Sequence, residues 1–264
     1  MSWIIKKVQV NIPFRMLWDS YIELFIKNGL NPEIGLDAIS LKRFSLDDFK
    51  DIAQRLHKQH LTITLHAPFI DLSPGSLDPD VLDLTRHRFK QLLKLVPLFK
   101  PKTVVCHAGY DWKRYGYFKE EWVEKSLKTW SWLGSLIADE GGQLMLENVY
   151  EHSPEDILIL LENLEKQNVG FCLDTGHQSA FSRTSLTAWL DSLGQYLGQL
   201  HLHDNNGKFD DHLAMGEGKI NFEAFFKALK AIKKAPPVIT LEPHEDEALW
   251  PSLEFLEKVW PWQG

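Results

Sequence analysis

Short apolar runs rich in Val, Ile and Leu recur along the chain, each followed by a longer stretch with helical character. Eight runs read as strands: KVQVNI (7–12), PEIGLDAI (32–39), LTITLHA (61–67), TVVCHAG (103–109), QLMLENV (143–149), VGFCLDT (169–175), GQLHLHD (198–204) and PVITLEP (237–243). Near-continuous apolar runs of this length are expected for parallel strands covered on both faces. The gaps carry helix-start signals. Ser45 with Asp48 three residues on forms a capping box. Asp78 and Ser153 each stand before a proline at the first helical position. Segments 119–140, 221–234 and 247–259 also read as helices.

Eight strand–helix units in 264 residues, with no low-complexity tract or linker to divide them, predict one domain over 1–264. The expected fold class is α/β, a single (β/α)8 TIM barrel. A doubly wound open sheet would need a phosphate-binding glycine loop after the first strand, and none is present.

Composition narrows the function classes. Hydrophobic residues make up 44% and charged residues 25%, an ordinary globular balance. The formal charge of −7 leaves no global basic footprint for a nucleic acid. Two cysteines, Cys106 and Cys172, each inside a strand run, form no disulfide framework. That usage, with no signal-like N-terminus and no long apolar segment, predicts a cytoplasmic protein without a membrane partner.

In a barrel of this kind the active site lies where the strands end. Here they end in metal-ligand types: His66, His107, Glu147, Asp174 with His177 just beyond, His201 with His203, and Glu242. The loop after the seventh strand adds Asp204, Asp210 and His212. Six of the eleven histidines fall at this rim. One buried histidine alone is usually a hydrogen-bonded core residue. Five histidines (His66, His107, His177, His201, His212) converging with four carboxylates (Glu147, Asp174, Asp210, Glu242) point instead to metal. Imidazole and carboxylate without thiolate favour Zn, Mn, Co or Fe, and nine donors are too many for one tetrahedral ion and suit two or three divalent ions. His201 and His203 share a strand face; one is a ligand, and His203 is the candidate to support it or to touch substrate. Gly176 reads as a tight turn that returns His177 to the rim.

The motifs HAP, VVCHAG, LENV, LDTGH, HLHDN…DDHLAMGEG and LEP occur in this order. Together they resemble the xylose isomerase-like TIM-barrel superfamily, which includes sugar isomerases and epimerases and the endonuclease IV type of AP endonuclease. The resemblance covers most of the chain. From the endonuclease branch it implies three zinc ions: one on His66, His107 and Glu147, one on Glu147, Asp174, His201 and Glu242, and one on His177, Asp210 and His212. From the epimerase branch it implies one ion on Glu147, Asp174, His201 and Glu242, with Glu147 and Glu242 as the catalytic pair passing protons on opposite faces of a sugar.

The loops separate the two branches. The segments PFRMLWDSY and SLKRFS after the first two strands lack the basic and aromatic loops that would grip abasic DNA. The loop GYDWKRYGYF (109–118) supplies Trp112, Lys113 and Arg114, placed to close over a substrate or meet its phosphate. The expectation is therefore a metal-dependent isomerase or epimerase of a sugar or sugar phosphate. A trinuclear-zinc phosphoesterase is the alternative.

Overall fold

The computed structural model describes residues 3–233 and 235–262. The ends of the expected 1–264 domain and the last residue of the helix expected to finish at 234 lie outside those residues.

Eight parallel strands close into a barrel in sequence order, with β8 pairing back to β1. They are β1 Gln9–Pro13, β2 Asn31–Gly35, β3 Thr64–His66, β4 Thr103–His107, β5 Gln143–Glu147, β6 Gly170–Asp174, β7 Leu197–Leu202 and β8 Val238–Leu241. Eight outer helices follow in turn: α1 Ile22–Asn28, α2 Leu46–Lys58, α3 Pro79–Leu93, α4 Lys119–Asp139, α5 Glu155–Asn163, α6 Leu186–Leu193, α7 Phe222–Ile232 and α8 Asp246–Val259. The expected fold class holds.

Local signals act largely as read. Ser45 and Asp48 form both bonds of a capping box on α2, and Asp78 caps α3 ahead of Pro79. Ser153 does not cap α5, which begins at Glu155 with Pro154 in the cap position and no side-chain cap. Several strands are shorter than their apolar runs. The second stops at Gly35, and the chain then turns into a short helix at Ser40–Arg43.

The strands also alternate more than their composition implies. Outward residues such as Val104, Leu144, Leu146, Leu200 and Ile239 join a large core with Trp122, Trp130, Trp189, Phe99 and Phe226. The inward set includes only a small apolar cluster of Val105, Met145 and Cys172. Around it lie Glu33, Thr64, Thr103, Gln199 and Thr240, all buried and joined by hydrogen bonds. The barrel interior is thus partly polar, where branched apolar layers would be usual. Both cysteines are free and buried. No helix among the described residues is long and apolar enough to cross a membrane.

Candidate metal centre

Parallel register brings the rim together. β4 and β5 align His107 with Glu147, and β6 and β7 align Asp174 with His201. Glu242 follows β8 directly, its backbone N–H donating to Leu202 O. All are last residues of strands or their near neighbours, so the side chains point into one mouth.

Glu147 is the hub. Its Oε2 lies 3.0 Å from His66 Nε2 and 3.6 Å from His107 Nε2. Its Oε1 lies 3.3 Å from His177 Nδ1 and 3.2 Å from His201 Nδ1. His201 Nδ1 is also 3.1 Å from Glu242 Oε1 and 4.0 Å from Asp174 Oδ2. Burial alone would push Glu147 up, but the charges of His201 and His107 and bonds from His177 and His201 hold it well below the usual carboxylate range. Glu242 goes the other way: burial dominates and raises it. His201 is buried, which opposes its charge, yet the surrounding anionic groups raise it well above the usual imidazole value.

Gly176 does not form the expected tight turn. Asp174 Oδ1 accepts a hydrogen bond from His177 N at 2.6 Å and caps a short helix, Thr175–Phe181, in which Gly176 is an ordinary helical residue. The glycine is needed for space, because a Cβ there would stand 1.9 Å from His203 Cε1.

The loop after β7 is tied from within. Asp204 accepts backbone N–H bonds from Asn205, Gly216, Gly218 and Ile220, so it organises the loop and does not face the cluster. That loop presents Asp210, whose Oδ2 is 3.2 Å from His177 Nε2 and 3.1 Å from His212 Nε2. His203, His212 and His244 stack ring on ring, at 3.8 and 3.5 Å between centroids.

The nine expected ligands therefore converge on one mouth. Donor atoms able to share an ion group as His66–His107–Glu147, Glu147–Asp174–His201, Asp174–His203–Glu242, His203–Asp210–His212 and Glu33–His201–Glu242. His203 enters two of these groups, and it joins Asp210 and His212 where His177 was expected. His177 stands beside them through Asp210. The donor chemistry fits a divalent cation. Among the described residues, the ion pairs of Glu33, Glu147, Asp174 and Glu242 are all with imidazoles, not with Lys or Arg. His203 Nδ1 and Asp210 Oδ1 are buried with no hydrogen-bond partner, a condition that usually costs about 1–3 kcal/mol per group.

The mouth opens into a cavity of about 470 Å³ lined by His66, His107, Glu147, His177, Asp210, His212 and Glu242, with Asn11, Arg15, Arg88 and Tyr150 among its other walls. The structure does not bring Trp112, Lys113 or Arg114 to it. They form a short helix, Trp112–Tyr115, capped by Asp111. Trp112 packs on His152 and under Arg183, and Arg114 lines a neighbouring cavity of about 610 Å³. Sequence reasoning passed over Glu33, Arg15 and Arg88. For Glu33 a signal existed: a lone carboxylate inside an apolar strand must face either solvent or a polar partner.

Comparisons with known proteins agree with this geometry. The chain is 29% identical over 192 residues to the uncharacterized protein MJ1311 of Methanocaldococcus jannaschii, covering 70% of this chain and 66% of that protein. MJ1614 of the same organism is 31% identical over 178 residues, covering 65% and 67%. The match thus spans about two thirds of the length of each relative. Among solved structures, the TTHB071 protein from Thermus thermophilus, soaked with ZnCl2, superposes with a TM-score of 0.80 at 28% identity, covering 96% of this chain and 97% of that one. A D-tagatose 3-epimerase-like protein shares the fold, with a TM-score of 0.79 at 24% identity over 96% and 97% of the chains. The model of the xylose isomerase-like TIM barrel family matches residues 21–259, and with its closed eight-stranded barrel this chain belongs to that family.

Proposed function

We propose that this protein is a divalent-metal-dependent isomerase or epimerase of a sugar or sugar phosphate, with Glu147 and Glu242 as its proton-transfer pair. The observation that carries the reading is the placement of two buried carboxylates, from β5 and from the end of β8, at 3.2 and 3.1 Å from the same His201 Nδ1. Glu147, Asp174, His201 and Glu242 would hold the ion. When bound, it would act as a Lewis acid, polarising a carbonyl and its neighbouring hydroxyl.

The carboxylates come from the ends of different strands, which suits opposite roles. Glu147, kept ionised by its imidazole neighbours, is fitted to take a proton. Glu242 faces the same His201 Nδ1 from the end of β8, apart from Glu147 on β5, and is fitted by that placement to return the proton. The adjoining 470 Å³ is room for a monosaccharide, and Arg88 on its wall is suited to a phosphate. The solved D-tagatose 3-epimerase-like protein that shares the fold supports the scaffold for such chemistry.

A second reading, a trinuclear phosphoesterase, draws support from the groups His66–His107–Glu147 and His203–Asp210–His212, which a one-ion enzyme does not require. Elemental analysis of protein purified without chelator separates the two: about one ion per chain on the first reading, about three on the second. The direct test of the first reading is exchange of substrate C–H hydrogen in D₂O across a sugar panel. Exchange by the wild-type protein and its loss in Glu242→Gln are expected. A metal-loaded wild-type protein that exchanges no hydrogen overturns it.

A further inference from the structure

Below the rim, β2 contributes a carboxylate that the proton-transfer scheme does not use. Glu33 is fully buried. Its Oε1 lies 2.9 Å from His201 Nε2 and accepts from Asn11 Nδ2 at 3.3 Å. Its Oε2 accepts from Thr64 Oγ1 at 2.9 Å, Gln199 Nε2 at 2.5 Å and Thr240 Oγ1 at 3.1 Å. Five donors meet a group with about four lone-pair sites. A cation at Glu33, His201 and Glu242 would therefore have to displace buried donors, each then left without a partner.

We infer that Glu33 is a positioning residue for the metal centre and not one of its ligands: by holding the Nε2–H of His201 it fixes the imidazole with Nδ1 as the atom presented to the ion, between Glu147 and Glu242. The inference rests on the metal-binding part of the proposed function. A carboxylate behind a ligating imidazole sets its tautomer and orientation and strengthens it as a donor. Here the tie is extended by Asn11, whose Nδ2 is 3.3 Å from both Glu33 Oε1 and Glu242 Oε1. One saturated anion thereby aligns His201 from β7 and, through Asn11 on β1, Glu242 beyond β8. This tie acts on His201 and Glu242 from inside the barrel.

The test measures zinc and manganese affinity of the full chain by competition with a chromophoric chelator. Glu33→Gln keeps the side chain's size and removes its charge, and about 10- to 100-fold weaker binding is expected. Glu33→Asp, which keeps the charge, should recover part of the loss. The thermal midpoint of the metal-free proteins is measured alongside, since a merely structural role would lower the midpoint and leave affinity alone. A second measurement needs no variant at Glu33: imidazole ¹⁵N NMR of the zinc-loaded wild-type protein, with His201 assigned by loss of its signals in His201→Asn. Protonated Nε2 and metal-bound Nδ1 are expected. Wild-type protein that binds neither ion overturns the proposed function and this inference with it. Wild-type protein that binds, with Glu33→Gln unchanged in affinity or His201 bound through Nε2, overturns the inference alone. Should Glu33→Gln fail to fold, the NMR result decides.

Discussion

Replacing Gly176 with alanine sets a gain in helix propensity against a collision, so the sign of its effect is informative. An alanine in a helix interior is favoured over glycine by about 1 kcal/mol, and on that ground alone the variant would be the more stable. The new methyl, however, would lie 1.9 Å from His203 Cε1 and 2.4 Å from both ring nitrogens. Ordinary contact begins at 3.4 Å, so the ring must move by the difference of 1.5 Å. His203 has little room to do so. His212 stacks on it, and His244 stacks on His212. The displacement also breaks the contact between His203 Nε2 and Asp174 Oδ1, now 3.2 Å. Overpacking costs about 1–3 kcal/mol, and a lost charge-assisted hydrogen bond costs about 1.5–3 kcal/mol. After the propensity gain, the net destabilisation is about 1.5–5 kcal/mol. At ~2–4 °C per kcal/mol for a chain of this size, the midpoint should fall by roughly 3–20 °C. Calorimetry of the metal-free protein reads the midpoint, and elemental analysis reads the metal, which on the proposed function should also decline because donor atoms of Asp174, His203 and Glu242 are grouped closely enough to share an ion. The control is Gly116→Ala, at a helical φ of −53° and with nothing within 4 Å of the new atom; its midpoint should stay level or rise. A Gly176→Ala protein that melts no lower than wild type and keeps its full metal content would refute the reasoning.

Two other predictions follow from buried carboxylates outside the ligand set. Burial pushes Glu151 up to about 7 from 4.5, against the pull of backbone bonds from Val149 and Tyr110. Its folded value is raised, so its contribution is fully present below pH 4.5 and is lost as pH rises towards 7. Denaturant titrations should show the wild-type advantage over Glu151→Gln shrinking by up to about 3 kcal/mol across that window; a difference that stays flat with pH would exclude this role. Asp204→Ala removes the acceptor for four backbone N–H groups. It should cost about 2–4 kcal/mol and speed hydrogen exchange over the loop carrying Asp210 and His212, while exchange in α3 stays as in wild type.

The order of strands and helices, and the rim to which the candidate ligands belong, were determined by the sequence alone. Period and caps mark the elements, and a parallel barrel sends every strand's C-terminal end to the same face. His66, His107, Glu147, Asp174, His201 and Glu242 could therefore be assigned to one mouth before any distance was known. Which of them touch was decided by tertiary structure. Contacts between side chains on different strands depend on register and barrel closure, which the spacing along one strand does not encode. That is why Glu33 went unread. Its partners Asn11, Thr64, Gln199, His201 and Thr240 come from four other strands. It is also why the sequence suggests a turn at Gly176: the ring that excludes a side chain there belongs to His203, beyond the next strand. The loop at 109–118 shows the same limit in reverse. Its aromatic and basic residues suit a substrate chemically, but its path, set by the Asp111 cap and by packing of Trp112 on His152, takes Arg114 to a neighbouring cavity. Residue type and periodicity are local properties of a chain, whereas a metal centre is made by the closure of the barrel.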